Sequence, residues 1–228
     1  MSKITFLVVD EVPPRPADFI DTQLHAWMKS VSYDAFWVDH FQRAFVRDFI
    51  DRNSKTVYIC TDADEIPSRE LVASFRDEWM YDAVFTRKTI HIAMYMFYYN
   101  FHWAMPSMWT HAFAIGTERY LAQRDLVQSR VITDMEEVEL VRGGWHLSYF
   151  LSREDIVRKV ESFPHREYDL AEFKTDEHVT ECLQMGKDMY KRDDVQLIPV
   201  DLEVNDHLWP QGWREYQQYV MRLQGLAP

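Results

Sequence analysis

Residues 56–69 read TVYICTDADEIPSR, and this stretch decides the fold. Its first six residues, Thr56–Thr61, form a short apolar run with β-branched members, which predicts a strand. Asp62 follows at once, and then Pro67 and Ser68 predict a helix start, because proline is tolerated in the first turn and serine caps helices. An acidic turn therefore lies between the carboxyl end of a strand and a helix, where open α/β sheets place their ligands.

Three carboxylates occupy four positions of this turn, at Asp62, Asp64 and Glu65. Carboxylates so close together are costly to ionise unless a cation neutralises them. In an extended turn, positions i and i+2 point the same way, so Asp62 and Asp64 are able to address one ion while Ala63 faces away. Mg²⁺ and Mn²⁺ prefer oxygen ligands and complete their shells with water and substrate phosphates. The turn predicts a divalent-metal site, and a solvated acidic loop is the alternative.

The remaining pattern also indicates an α/β domain. Residues 89–99 predict a longer strand that is apolar or aromatic on both faces and therefore covered on both sides. Further strands are predicted at 4–9, 83–85, 111–115, 128–133, 136–141, 145–150 and 195–200. Helices are predicted at 17–29, 34–51, 68–79, 152–163 and 176–190. No repeat or linker divides the chain, so residues 1–228 are expected to form a single domain.

Composition excludes several classes of protein. With 47% hydrophobic and 15% aromatic residues, the 228-residue chain is able to bury a large core, which disordered proteins cannot. The net charge of −12 repels phosphate backbones and anionic lipid, so general nucleic-acid binding is disfavoured. No uncharged stretch reaches the length of a membrane span, and the two cysteines, Cys60 and Cys182, lack metal-ligand spacing. A reduced, cytoplasmic protein is expected.

A second set of candidate residues lies at 143–150, which reads GGWHLSYF. Gly143 and Gly144 would let a ligand approach the backbone closely. His146 is able to complete a metal shell or bind a diphosphate, and a packed core histidine is the alternative. Trp145 and Tyr149 are candidates for stacking on a sugar ring, with core packing as the alternative for at least one of them.

Arginines and further histidines are also candidate site residues. Arginine presents a fork suited to phosphate, and Arg43 and Arg87 are the two arginines that we favour for binding a diphosphate. The histidines at 91, 102 and 111 are irregularly spaced among aromatic residues, which disfavours a transition-metal centre. They are interpreted as packing or acceptor-groove residues.

Asp62-Ala63-Asp64-Glu65-Ile66-Pro67-Ser68-Arg69 resembles the acidic signature of glycosyltransferase family 17, the family of the bisecting N-acetylglucosaminyltransferase. Residues 37–49, which include Arg43, resemble the family's Trp-and-Arg helix. Residues 143–150 resemble its Gly-Trp-His-x-Ser segment. The resemblance covers about residues 30–180 and rests on the order of these motifs.

This resemblance implies a GT-A type, Rossmann-like α/β fold with a mixed central sheet. It implies a nucleotide-sugar donor, such as a UDP-sugar, a glycan or other hydroxyl acceptor, and inversion at the anomeric carbon, with N-acetylglucosamine as the candidate sugar. Asp62 and Asp64 would hold Mn²⁺ or Mg²⁺ on the diphosphate, with His146 as a further ligand. An inverting transfer needs a general base. The candidates by residue type are Asp134, Glu136, Glu137 and Glu65, of which Glu65 is favoured unless it only braces the turn.

Relatives carry an additional amino-terminal βα segment before the strand at 4–9, and this sequence begins near that strand. An amino-terminally shortened fold is therefore expected, with a reduced nucleotide pocket, weakened binding, or a pocket that a second copy or another subunit completes.

Two other functions use the same features. One is a metal-dependent phosphohydrolase or nucleotidyltransferase, and the other is a non-catalytic, sugar-binding relative.

Overall fold

The structure is a computed structural model that describes residues 7–17, 19, 33–85, 88–123, 126, 128–132, 138–204 and 209–226. Within these ranges, seven strands form one sheet. The strands are β1 Val57–Cys60, β2 Glu65–Pro67, β3 Thr89–Tyr98, β4 Trp103–Ala104, β5 Trp109–Gly116, β6 Val138–Ser148 and β7 Ile198–Pro199. The helices are α1 Tyr33–Phe45, α2 Arg69–Ser74, α3 Glu78–Phe85, α4 Thr117–Ala122, α5 Arg153–Ser162, α6 Asp176–Met185 and α7 Trp213–Leu223. None of these helices is long and apolar enough to cross a membrane.

Strand β3 is the centre of the sheet. It pairs antiparallel with β5 and β4 and parallel with β6, while β1 extends the sheet beyond β5 and β2 pairs antiparallel with β6. Every residue of β3 except Tyr95 is buried, so both of its faces are covered, as predicted. The α/β class and the mixed sheet are confirmed.

The two glycines of the 143–150 segment lie inside β6, so the predicted break between two strands is wrong. Between Ala93 and Tyr95 the central strand advances two residues while β6 advances three, from Arg142 to Trp145. This surplus residue is a β-bulge at the glycine pair. A Cβ on Gly144, where φ is +135°, would lie 2.4 Å from the Ile66 carbonyl oxygen. The close approach that Gly144 permits in the structure is therefore to the chain's own strand β2, and that of Gly143 is to Leu71 of helix α2.

Helix ends follow the local signals in the sequence. The Ser68 hydroxyl accepts a hydrogen bond from the Leu71 N–H at 3.2 Å, and the Ser152 hydroxyl accepts one from the Asp155 N–H at 3.1 Å. Both residues are therefore the N-caps that the sequence predicts. The predicted 176–190 helix ends at Met185, because Gly186 adopts a left-handed conformation with φ of +62°.

Other predictions from periodicity are wrong. Residues 83–85 belong to α3, where Met80 and Val84 are spaced four apart and both face the core. The predicted 68–79 helix is split into α2 and α3, and residues 128–130 form a 3-10 turn instead of a strand. Residues 7–9 are not in a strand, while residues 4–6 and most of the predicted 17–29 helix lie outside the described residues.

The carboxyl-terminal part of the chain forms a helix that periodicity did not predict. The apolar side of α7 carries Trp213 and Val220, which pack on a cluster with Phe97 and Phe101. On the same helix, Gln217 Oε1 accepts a hydrogen bond from the Phe101 N–H at 2.8 Å. These contacts fix the turn that follows β3.

Replacing Gly144 by alanine is expected to destabilise the protein by about 2–3 kcal/mol, because its Cβ would meet the Ile66 carbonyl and its φ is unfavourable for an L residue. The matched control is Gly212→Ala, since Gly212 also has a positive φ of +79° but has no atom within 4 Å of the added Cβ. Its expected cost is only about 1 kcal/mol. Urea denaturation of both variants measures the difference, and equal costs would contradict the close-approach argument.

Candidate functional site

The acidic turn is held in place by β6. It follows β1 and runs into β2, whose Glu65 pairs with His146 in the antiparallel register. The Leu147 N–H donates a hydrogen bond to the Asp64 carbonyl at 2.8 Å, and the Glu65 N–H donates one to the Asp62 carbonyl at 3.0 Å. Backbone pairing alone thus brings the predicted acidic turn and the predicted His146 together.

The Asp62 carboxylate accepts hydrogen bonds from two arginines. Its Oδ1 accepts a hydrogen bond from Arg43 Nη1 at 2.6 Å, and its Oδ2 accepts one from Arg130 Nη2 at 2.8 Å. Arg43 comes from α1 and also contacts Asp39 one helical turn away, at 3.0 Å. Arg43, which the sequence analysis favours for binding a diphosphate, therefore lies at the acidic turn.

Glu65 is the most deeply buried of the three carboxylates, and its side chain has 0% exposure. Its Oε1 accepts hydrogen bonds from Arg130 Nη2 and from the Trp109 indole N–H, both at 2.6 Å. Its Oε2 accepts a third hydrogen bond from the Asp62 backbone N–H at 2.8 Å. Because both oxygens are engaged, the geometry favours the interpretation that Glu65 braces the turn.

Asp64 stands apart from the arginines. Its Oδ2 lies 2.8 Å from Lys159 Nζ and 3.6 Å from His146 Nε2. Burial alone would raise the pKa of Asp64, but His146 and the positive charge of Lys159 outweigh it and hold that pKa well below its ordinary value. Asp64 is therefore a carboxylate at any pH at which an enzyme would be assayed.

The carboxylates of the turn are paired with cations of the protein itself. Asp62, Asp64 and Glu65 face three cationic side chains, namely Arg43, Arg130 and Lys159, of which Arg43 is shared with Asp39. In the part of the chain that is described, no three acidic, histidine or cysteine side chains are grouped to hold a metal. Asp64 and His146 do fit a divalent ion, because Mg²⁺ and Mn²⁺ often take few protein ligands and fill the shell with water and phosphate oxygens.

Three of these residues were not among the predicted site residues, namely Arg130, Lys159 and Trp109. Arg130 is 65 positions from Glu65 and Lys159 is 95 positions from Asp64. A single sequence carries no signal for such contacts, although Lys159 does lie in the helix after the matched Gly-Trp-His segment.

The other predicted site residues pack against neighbouring elements or lie outside the described residues. Tyr149 is buried, and its hydroxyl shares a hydrogen bond of 2.5 Å with the Tyr190 hydroxyl, which favours core packing. Trp145 is half-buried and packs against the cluster beneath α7. Gly143 and Gly144 contact α2 and β2. Four predicted residues lie outside the described ones, namely Arg87, Asp134, Glu136 and Glu137.

A row of rings adjoins the turn. The His111 imidazole stacks on the Trp109 indole at 4.1 Å between centroids, and the other neighbour of Trp109 is His146 at 4.5 Å. His91 is a packing residue, as one interpretation expected, because it is buried and its Nδ1 lies 2.8 Å from the Thr110 carbonyl oxygen. Burial and the charge of Arg130 lower the pKa of His111 to about 4, so its imidazole is neutral at pH 7.

Comparison with known proteins gives one match. A family model described as glycosyltransferase family 17 matches residues 18–199, which include the acidic turn, Arg130, His146 and Lys159. No curated protein and no solved structure matches the chain.

The ion pair of Arg130 with Glu65 is expected to be structurally essential. Arg130→Met should lower the free energy of unfolding by about 3–5 kcal/mol, because it leaves a buried carboxylate uncompensated. Adding Glu65→Gln should recover part of that loss in a double-mutant cycle. The control is Lys187→Met, which removes an exposed pair with Glu181 and should cost at most about 1 kcal/mol. Additive effects of the Arg130 and Glu65 substitutions would contradict this assignment.

His111 is expected to make the protein less stable in mild acid. Its folded pKa lies below the value of about 6.5 of an unfolded histidine, so below pH 6.5 the unfolded chain binds a proton that the folded chain does not. Stability then falls as the pH drops from about 6.5 to about 4. Between pH 7 and pH 5 the natural protein should lose up to about 2 kcal/mol more than His111→Gln in urea denaturation. An identical pH dependence of the two proteins would refute this.

Proposed function

The chain belongs to glycosyltransferase family 17, and from this membership and its site we propose a specific reaction. The protein transfers a sugar, with N-acetylglucosamine as the candidate, from a nucleotide-sugar donor such as a UDP-sugar to a hydroxyl of a glycan or other acceptor. Transfer proceeds with inversion at the anomeric carbon. The observation that carries the proposal is the turn at the end of β1, where Asp64 and His146 meet beside the cations Arg43, Arg130 and Lys159.

The chemistry of the leaving group explains the need for such a site. Breaking the bond between the sugar and the diphosphate builds negative charge on the leaving oxygens, and preorganised cations stabilise that charge. We propose Asp64 and His146 as the protein ligands of Mn²⁺ or Mg²⁺, with Asp62 joining them only if it releases an arginine. When bound, the ion would act as a Lewis acid on the diphosphate.

The other residues of the turn have positioning roles in this proposal. Arg130 ties Asp62 to Glu65 and so fixes the path of the turn. Arg43 brings α1 to the same carboxylate and presents its guanidinium near the place where a diphosphate would lie. Because Glu65 is enclosed, we assign it to bracing, which leaves Asp134, Glu136 and Glu137 as the candidates for the general base.

Several finer expectations remain part of the proposal. They are the GT-A type arrangement of the sheet, a single domain over residues 1–228, a cytoplasmic location, and a second copy or another subunit that completes the nucleotide pocket. The family membership supports the donor and acceptor classes.

One observation favours a second candidate function. A turn whose carboxylates are each paired with a cation of the protein is also what a non-catalytic, sugar-binding relative would have. In such a relative the cations would replace a metal permanently. Product analysis separates the two functions, and it also detects a phosphohydrolase or nucleotidyltransferase.

The test is incubation of the natural protein with a panel of nucleotide sugars, hydroxyl acceptors and Mn²⁺, followed by mass spectrometry. Glycosylated acceptor is the expected product, and Asp64→Asn should reduce its formation at least about 100-fold, because the change removes the charge that holds the ion. The matched control is Asp169→Asn, because Asp169 is also 29% exposed and also pairs with a lysine, Lys174 at 2.7 Å.

Three outcomes would contradict the proposal. Bare sugar or sugar phosphate would favour the hydrolase. No turnover with any donor, together with binding of sugar, would favour the non-catalytic relative. Full activity of Asp64→Asn would show that this carboxylate has no part in the reaction.

A further inference from the structure

We propose that Lys159 is an exchangeable counter-ion of the metal site, so that a divalent ion and the donor diphosphate displace its ammonium from Asp64 together. This inference rests on the proposed function. It makes Lys159 a positioning residue that couples the binding of metal to the binding of nucleotide.

The first step is the competition for one oxygen. Lys159 Nζ lies 2.8 Å from Asp64 Oδ2, and His146 Nε2 lies 3.6 Å from the same atom. An ion coordinated by Asp64 and His146 would lie at the carboxylate that the ammonium now contacts. Two cations repel each other strongly at such a distance, so metal binding and the present lysine contact exclude each other.

The second step identifies Lys159 as the cation that is able to leave. Lys159 and Asp64 are 28% and 29% exposed, so water reaches the pair and its separation costs little. Arg130, in contrast, is 8% exposed and holds the enclosed Glu65, which makes its release costly. Arg43 is held by two carboxylates, Asp39 as well as Asp62.

The third step concerns where the ammonium goes. Lys159 Nζ also lies 4.8 Å from the centroid of the Tyr149 ring, and the hydrogen bond to Tyr190 keeps that ring in place. A cation–π contact therefore keeps the ammonium beside the site after it leaves Asp64. A lysine ammonium on a flexible stem is then available to a diphosphate oxygen.

Cooperative binding follows from these contacts. A metal that binds alone must displace the ammonium without offering it a new anion. A diphosphate supplies that anion, so each ligand lowers the cost of binding the other, and the coupling is reciprocal.

The test is isothermal titration with Mn²⁺, in the absence and presence of UDP, corrected for the metal that UDP binds in solution. Lys159→Met should bind Mn²⁺ roughly 10-fold more tightly than the natural protein when UDP is absent. UDP should strengthen Mn²⁺ binding to the natural protein by a similar factor and to Lys159→Met much less. Lys159→Arg keeps the positive charge and should behave like the natural protein.

Lys174→Met is the matched control, because Lys174 is 24% exposed and contacts Asp169 at 2.7 Å, away from the acidic turn. Its Mn²⁺ affinity should equal that of the natural protein. The proposal is overturned if Lys159→Met binds Mn²⁺ no more tightly, if UDP affects both proteins equally, or if neither binds Mn²⁺. The transfer assay is a separate measurement, so glycosyl transfer without any of these effects would remove this inference and leave the proposed function standing.

Discussion

The buried ion pair between Arg130 and Glu65 is the interaction on which the site depends. Glu65 begins β2 and is enclosed, and its charge is tolerable because Arg130, the Trp109 indole and the Asp62 backbone N–H satisfy its two oxygens. Arg130 also reaches Asp62, so one guanidinium sets both ends of the turn. A buried ion pair of this kind adds little net stability by itself, but the loss of one partner is costly because it leaves the other charge uncompensated.

The balance of charge around the turn contrasts with the chain as a whole. The protein carries a net charge of −12, which repels anionic ligands at long range. At the turn, three carboxylates are paired with three cations, one of which, Arg43, is shared with Asp39, so a diphosphate meets no excess of positive charge. Attraction of an anionic donor therefore requires added positive charge or the release of a lysine or arginine from its carboxylate.

Local signals in the sequence are sufficient to predict part of the fold and part of the candidate site. Three features depend only on residues close together in the sequence and could therefore be predicted. They are the strand before Asp62, the serine caps and the two covered faces of β3. The arginine and lysine partners of the turn depend on contacts between distant segments, which one sequence does not specify. The strand predicted at 83–85 failed because three apolar residues fit a strand and a helix equally well. The paired glycines were interpreted as a break in a strand, since their packing partner Leu71 is known only from the fold.

The bulge in β6 determines which insertions and deletions this strand tolerates. Two residues, Gly143 and Gly144, occupy the place of one, so His146 faces the turn while Trp145 faces the opposite side of the sheet. Loss of one glycine would give a regular strand with the same alternation, and the imidazole would still point at Asp64. A residue added between Gly144 and Trp145 would exchange the two sides and bring an indole to the carboxylate instead.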